Sequence, residues 1–187
     1  MLAALQQLSE RLTPCPSDDL PPLADELRGE FAGWRELRDD PWDDLPEVAA
    51  THLDELIELS ALGVRALDGD TLVHTDIRAD NLLIRPDRSV VVVDWPWACR
   101  GCAWFDTLCV LLNVELYGGH DVERLLAETP LLADVPAEAI DGVLAGLGGF
   151  FYNACRRPPS PGLPTLRQFQ RDQGDAVLRW LSVRRTW

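Results

Sequence analysis

The segment HTDIRADN, residues 74–81, places acidic, basic and amide side chains between two apolar runs. TLV precedes it and LLI follows it, so polar groups interrupt a stretch that otherwise predicts buried β-structure. A further carboxylate, Asp94, follows a run of valines at residues 90–93. Such a run is typical of a strand buried on both faces, and a carboxylate at its end needs a partner, a metal ion or water.

The types and spacing of these residues suit phosphoryl transfer. Residues 82–84 and 90–93 flank the turn sequence PDRS and predict a β-hairpin, which would bring Asn81 and Asp94 towards each other. Magnesium prefers hard oxygen ligands and completes its shell with water and substrate phosphates. The reaction also needs a carboxylate that orients the acceptor hydroxyl and receives its proton, a role open to Asp76. We therefore expect side-chain oxygens of residues 76, 81 and 94 to converge around a space for a hydrated divalent ion.

These residues, taken in order, resemble a known family. The motifs are H-x-D-x-x-x-x-N, then VVVVDW, then a glycine and an aspartate, carried here by His74, Asp76, Asn81, Asp94, Gly101 and Asp106. They are similar to the catalytic segment of the aminoglycoside phosphotransferase family, relatives of choline kinases with a protein-kinase-like fold. The resemblance implies that Asp76 is the catalytic base. It implies that Asn81 and Asp94 hold Mg²⁺. It also implies that His74 and Asp106 brace the catalytic loop.

The resemblance implies a small-molecule kinase that moves the γ-phosphate of ATP or GTP to a hydroxyl group. Its acceptor would be a small molecule, such as an aminoglycoside or another cation, which the acidic composition would suit. We count His74 and Arg78 with Asp76 among the catalytic candidates. Arg78 could face the transferring phosphate or could be a salt-bridge partner only. The alternative function is a catalytically silent acceptor-binding or interaction module, formed by a truncated or degenerate kinase lobe.

The elements that must position these residues are mostly helices. Apolar spacing predicts helices over residues 2–12, 23–37, 45–60, 104–117, 122–128, 136–155 and 165–184. We predict a mainly α fold with a small β-hairpin, organised as a single domain over residues 1–187. Residues 1–70 would be helical, residues 71–94 would hold the catalytic loop and hairpin, and residues 95–187 would be helical. This order corresponds to the helical C-terminal lobe of the protein-kinase-like fold.

The resemblance covers one lobe. In the family, a β-rich N-terminal lobe supplies a glycine-rich turn and a lysine that contact the nucleotide phosphates. All 17 basic residues here are arginine, and no glycine-rich turn precedes His74. We therefore expect the N-terminal lobe to be absent and the isolated chain to bind ATP poorly. Three explanations of the missing lobe remain as alternatives. The chain is a fragment, or it is a degenerate lobe. Otherwise it is part of a split kinase that a separate N-lobe polypeptide or a homo-oligomer completes.

The net charge and the cysteine content limit the kinds of partner and the cellular compartment that we expect for this protein. A formal net charge of -14 disfavours nucleic acid and anionic membranes, which require a basic surface. With no signal-peptide pattern and no apolar run of membrane-spanning length, we expect a cytoplasmic protein. The 5 cysteines predict reduced thiols. Their arrangement leaves a zinc site as an alternative, with the candidate ligands Cys99, Cys102, Cys109 and His120.

Overall fold

The structure is a computed structural model that describes residues 1–187 as helices with two small antiparallel sheets. In chain order the helices are α1 (Leu2–Arg11), α2 (Leu23–Glu30), α3 (Gly33–Asp39), α4 (Glu47–Thr51), α5 (Leu53–Ala66), α6 (Phe105–Tyr117), α7 (Val122–Glu128), α8 (Pro130–Ala133), α9 (Ala137–Cys155) and α10 (Leu166–Arg185). The strands are β1 (Thr71–Val73), β2 (Leu82–Ile84), β3 (Val90–Val92) and β4 (Cys99–Gly101). The prediction of a mainly α fold with a small hairpin is therefore confirmed.

The chain divides into two compact units, each built from two stretches of sequence. Met1–Glu26 and Leu67–Val135 form one, which we call the hairpin unit, and Leu27–Ala66 and Pro136–Trp187 form the other, which we call the helical unit. The single domain over residues 1–187 stays a prediction. No helix combines the length and the apolar character that crossing a membrane requires.

Two of the predicted helices are interrupted. The helix expected over residues 23–37 is wrong as one element, because α2 ends at Glu30 and α3 begins at Gly33. Glycines at 29 and 33 lower helix propensity there, and the Ala32 N–H closes a tight turn onto the Gly29 carbonyl at 3.1 Å. The helix expected over residues 45–60 is likewise divided into α4 and α5, and α5 continues to Ala66.

In the hairpin unit, β2 and β3 pair antiparallel as predicted, with Leu82 opposite Val92 and Ile84 opposite Val90. The expectation that the valine strand is buried on both faces is wrong, since residues 90–93 are only half-buried. The reason is that β3 belongs to a sheet of two strands and pairs with β2 alone. Side chains project from the two faces of the ribbon, and a ribbon of only two strands is too narrow to cover them, so they stay partly in water.

A second sheet, which we did not predict, pairs β1 with β4. Its register places Thr71 opposite Gly101 and Val73 opposite Cys99. A side chain at Gly101 would collide with the chain, because an added Cβ would lie 2.6 Å from the Leu23 Cβ. The glycine that the sequence motif singled out is therefore needed for close packing. The sheet sets the direction in which the chain leaves β1 and enters the loop of residues 74–81.

A small apolar cluster anchors the loop of residues 74–81 to the neighbouring helices. Ile77 lies within the loop, is 2% exposed, and packs with Leu5 of α1 and Val110 of α6. Partly buried side chains from β2 and β3, Leu82 and Val92, join the same cluster. The apolar residue between two charged ones thus ties the loop to both helices and to the hairpin.

In the helical unit, α9 packs against α3, α5 and α10. The glycines of α9 allow this close packing. An added Cβ at Gly142 would lie 2.6 Å from the Gly63 backbone nitrogen, and one at Gly149 would lie 2.8 Å from the Trp34 ring. The Trp34 indole is fully buried and donates to the Ala145 carbonyl at 2.7 Å. Buried Asp141 pairs with Arg184 of α10.

Candidate functional site

The loop of residues 74–81 is held at its start by Asp106, in the first turn of α6. The Asp106 Oδ2 accepts the His74 backbone N–H at 2.7 Å, and its Oδ1 accepts the Thr75 N–H at 3.0 Å. Burial raises the pKa of the Asp106 carboxyl, while these two N–H donors act in the opposite direction and favour the carboxylate. The buried Asp106 carboxylate therefore accepts hydrogen bonds from two consecutive backbone N–H groups at the start of the loop.

Thr75 adopts a left-handed backbone conformation, with φ at 67°. This region is unfavourable for a β-branched residue and costs on the order of 1–3 kcal/mol. Hydrogen bonds hold the residue there, since its hydroxyl donates to the Trp97 carbonyl at 2.7 Å and its N–H donates to Asp106. We did not single out Thr75 from the sequence, and no local pattern identifies a threonine that the fold forces into this conformation.

His74 connects the loop to the chain after β3. Its Nε2 lies 2.9 Å from the Val93 carbonyl oxygen, and its Nδ1 lies 3.2 Å from the Asp76 backbone nitrogen. A carbonyl can only accept and an N–H can only donate, so the ring is the neutral tautomer with its proton on Nε2. The ring is 0% exposed and packs edge-on against Trp95 at 4.7 Å. It can position the loop, but it is too buried to contact a ligand.

Asp76 and Asn81 are brought together at the centre of the loop. The Asn81 Nδ2 donates to the Asp76 backbone carbonyl at 2.8 Å and lies 3.4 Å from the Asp76 Oδ2. Asn81 is 5% exposed, whereas the Asp76 side chain is 36% exposed and reaches solvent. Because the amide NH₂ is committed to Asp76, the amide oxygen is the Asn81 atom that can bind a metal ion.

Arg78 lies between two carboxylates of the same loop. Its Nη2 is 3.0 Å from the Asp80 Oδ2, and its Nε is 3.6 Å from the Asp76 Oδ1. The salt bridges predicted as one of its two roles are therefore present. Its side chain is also 36% exposed, so the guanidinium remains accessible beside the Asp76 carboxylate.

Asp94 is tied to the same region through the backbone of its neighbour. The Val93 N–H donates to the Asn81 carbonyl at 3.0 Å, and the Val93 carbonyl accepts a hydrogen bond from the His74 Nε2–H. Asp94 itself has φ at 65°, and its exposed carboxylate makes no hydrogen bond or ion pair with the protein. The structure thus joins residues 76, 78 and 81 by side-chain contact, and places Asp94 beside them without such a contact.

The cysteine alternative finds little support in the geometry. No group of three or more histidine, cysteine, aspartate or glutamate side chains could hold a metal ion. Burial raises the pKa of Cys99 to about 11 and that of Cys102 to about 12, so both thiols stay protonated near neutral pH. All five cysteines are free. A zinc site requires thiolates, which these environments oppose.

Removing the Asp106 carboxylate should loosen the loop. We expect Asp106→Asn to lower the free energy of unfolding by about 1–3 kcal/mol, because an amide NH₂ cannot accept one of the two buried N–H groups. Urea denaturation measures the loss, and hydrogen exchange at His74 and Thr75 locates it. The matched control is Asp121→Asn, since Asp121 caps α7 on the surface and asparagine caps equally well. Equal stability of both variants would contradict this account of the loop.

Comparison with known proteins identifies the family. The model of the phosphotransferase enzyme family matches residues 1–138. A crystal structure of an aminoglycoside phosphotransferase from Alicyclobacillus acidocaldarius superposes with a TM-score of 0.55 at 15% sequence identity. The match covers 98% of this chain and 65% of that one, and at this identity it shows the fold alone. No curated protein sequence matches the chain.

The family match contains the whole segment from His74 to Asp106, in which the sequence motifs lie. The resemblance to the aminoglycoside phosphotransferase family is confirmed, while the absence of an N-terminal lobe stays a prediction. This chain belongs to the phosphotransferase enzyme family.

Proposed function

We propose that this chain carries the catalytic loop and metal ligands of a small-molecule kinase, which moves the γ-phosphate of ATP or GTP to a hydroxyl group. The observation that carries the proposal is the Asp76–Asn81 pair, with the Asn81 Nδ2 bonded to the Asp76 carbonyl at 2.8 Å. It sits in a loop whose strained start is held by Asp106. A family member that retains a solvent-reaching carboxylate in so constrained a loop is equipped to use it.

Asp76 is the proposed general base. As the acceptor oxygen forms its bond to phosphorus, its O–H bond breaks and the proton moves to an Asp76 carboxylate oxygen, while the nucleotide diphosphate leaves with the electrons of the broken P–O bond. The backbone carbonyl and carboxylate of Asp76 are both fixed by Asn81, so the base is oriented before the acceptor arrives. Arg78 is the proposed electrostatic partner of the transferring phosphate, because its accessible guanidinium lies beside the Asp76 carboxylate.

The oxygen donors here fit a magnesium ion. Asn81 offers its amide oxygen and Asp94 offers an unpaired carboxylate, both hard ligands, and Mg²⁺ tolerates so few protein ligands because it keeps water and binds phosphate. When bound, the ion would neutralise charge on the phosphate oxygens. Asn81 and Asp94 are the residues that would hold it, and both are placed through Val93 and its hydrogen bonds.

The nucleotide needs further contacts than this loop supplies. The family resemblance implies a lysine on the phosphates, and this sequence has none, since all 17 basic residues are arginine. The proposal therefore includes a partner for the nucleotide cleft, which is a further segment of the protein, a separate N-lobe polypeptide or a second copy of this chain.

The proposed acceptor is a small cation that carries a hydroxyl group. Trp97 is 66% exposed, and the Thr75 hydroxyl donates to its carbonyl, so its backbone is fixed beside the catalytic loop and its side chain is open to solvent. An exposed indole binds ammonium groups through its face. The net charge of -14 attracts cations to the protein.

Calorimetry tests the metal site directly. Mg²⁺ is titrated into the wild-type chain and into Asp94→Asn, with Asp87→Asn as the control, because Asp87 is an exposed carboxylate of the same hairpin engaged by Ser89. We expect Asp94→Asn to weaken Mg²⁺ binding by about 10-fold or more, and the control to leave it unchanged. Equal affinity in all three proteins would contradict the site. Phosphate transfer from ATP to hydroxylated ammonium compounds is then assayed with the N-lobe partner present, and intact Mg²⁺ binding without transfer would favour the silent binding module.

A further inference from the structure

A cavity of about 530 Å³ lies in the hairpin unit, between α1 and the hairpin of β2 and β3. Its apolar floor includes Leu8 of α1 and the β3 residues Val90 and Val92. Its charged side chains are all arginines, namely Arg11, Arg85 and Arg88. In a protein with 31 acidic residues against 17 basic ones, a cavity without one acidic side chain is a departure from the general charge pattern.

These arginines have no partner within the protein. Arg38, Arg124, Arg156, Arg171, Arg184 and Arg185 are all paired with acidic side chains. In contrast, Arg11, Arg85 and Arg88 make no side-chain hydrogen bond or ion pair and are exposed. They come from parts of the chain more than 70 residues apart in sequence and meet at one cavity. Three positively charged side chains on one cavity, with no acidic side chain among the lining residues, give it a positive potential that attracts anions.

The turn between β2 and β3 places Arg88 at the cavity in a strained backbone conformation. Arg88 has φ at 68°, a conformation that turns usually give to glycine or asparagine. The turn is closed by hydrogen bonds from the Arg88 N–H to the Arg85 carbonyl and from the Arg85 N–H to the Ser89 carbonyl, each at 2.9 Å. Its only carboxylate, Asp87, is engaged by the Ser89 N–H and hydroxyl. Arg88 therefore occupies a strained backbone position, and the neighbouring carboxylate of Asp87 does not neutralise it. We take this combination as a sign that the positive charge of Arg88 has a function.

We infer that this cavity is a binding site for a multiply charged oxyanion of the phosphate class, held by Arg11, Arg85 and Arg88. Guanidinium groups bind phosphate through paired N–H donors, and several of them around one cavity favour a ligand with more than one charge. The apolar floor accommodates the uncharged part of a phosphorylated small molecule or of a nucleotide.

The cavity is separate from the catalytic loop in position and in chemistry. Arg85 follows β2, whereas Asn81 precedes it, and four residues of extended chain span on the order of 13 Å. The arginines therefore surround the turn end of the hairpin, while Asn81 and Asp94 lie at its other end. Binding here needs no metal ion, so this inference stands or falls independently of the proposed kinase activity.

Calorimetry with tripolyphosphate as the probe tests the site, in metal-free buffer of low ionic strength. The variants are Arg11→Gln, Arg85→Gln and Arg88→Gly, and the control is Arg157→Gln, which removes an exposed and unpaired arginine remote in sequence from the cavity. We expect each cavity variant to weaken binding by about 3- to 10-fold and the control to leave it unchanged. Arg88→Gly is the most informative, because glycine relieves the backbone strain, so binding should fall without a fall in Tm.

The outcomes decide between the inference and non-specific attraction. Loss of affinity in the cavity variants but not in Arg157→Gln supports the site. No binding by the wild-type chain, or equal weakening in all four variants, overturns it. An ATP titration under the same conditions distinguishes the ligand's source. If ATP binds more tightly than tripolyphosphate, the oxyanion belongs to a nucleotide, and equal affinity indicates a free phosphate compound, with the site supported in both cases.

Discussion

Replacing Asp76 with asparagine is expected to lower kcat for phosphate transfer by about 10²- to 10⁴-fold, which is the contribution of a positioned general base. The amide occupies the same space, so the Asn81 contact to the residue 76 backbone carbonyl survives. What disappears is the oxygen that receives the acceptor proton. KM for the acceptor should change little, because the base acts mainly as the O–H bond breaks.

The matched control for this variant is Asp80→Asn. Asp80 lies on the same loop, is exposed and also pairs with Arg78, but its side chain makes no hydrogen bond with Asn81. We expect kcat within about 5-fold of wild type, because an exposed salt bridge contributes little. Equal losses in the two variants would show that the loop's charge matters and that Asp76 has no special role. Circular dichroism and Tm establish that both variants are folded.

A large loss of stability is expected from Gly63→Ala in α5. An added Cβ would lie 2.8 Å from the Val143 backbone nitrogen and closer still to the Gly142 carbonyl group. Both neighbours are backbone atoms of α9, and backbone cannot move aside as a flexible side chain would. We expect a loss of at least about 3 kcal/mol in the free energy of unfolding. For a chain of this length the corresponding fall in Tm is about 6–12 °C.

Gly29→Ala is the control, since it is the same substitution in a helix of the same unit. Gly29 is exposed in α2, and nothing lies within 4 Å of the Cβ that would be added. Alanine should therefore stabilise the protein by about 0.5–1 kcal/mol through helix propensity alone. If close packing at Gly63 is decisive, thermal and urea denaturation will show a loss of stability in Gly63→Ala and a gain in Gly29→Ala. A Gly63→Ala protein as stable as Gly29→Ala would contradict the close approach of α5 and α9.

Much of the site could be predicted from the sequence because its parts are local. His74, Asp76, Arg78 and Asn81 lie within one loop, and the contacts among them span five residues or fewer. The hairpin that follows depends on a short turn and on the two β-rich apolar runs that flank it, which are also local signals. The same pairing ties the neighbour of Asp94 to Asn81 through the Val93 N–H, while the convergence of side-chain oxygens from residues 76, 81 and 94 around an ion stays a prediction.

The contacts that hold the loop could not be read from local patterns. Asp106 reaches His74 and Thr75 across more than 30 residues, and only the motif order suggested it. The pairing of β1 with β4 was missed because Cys99–Gly101 is short and lacks alternation. The left-handed conformation of Thr75 contradicts its intrinsic preference and is imposed by hydrogen bonds from two other segments.

The sequence by itself determined which residues could do chemistry, which segments are helical and which family the chain resembles, because these depend on residue type and short spacing. The tertiary structure alone decided how the loop is held, that β1 pairs with β4, and that arginines from α1 and the hairpin turn share a cavity. The physical reason is that long-range contacts arise from packing and from the need to pair buried backbone groups. Neither leaves a repeating pattern along the chain.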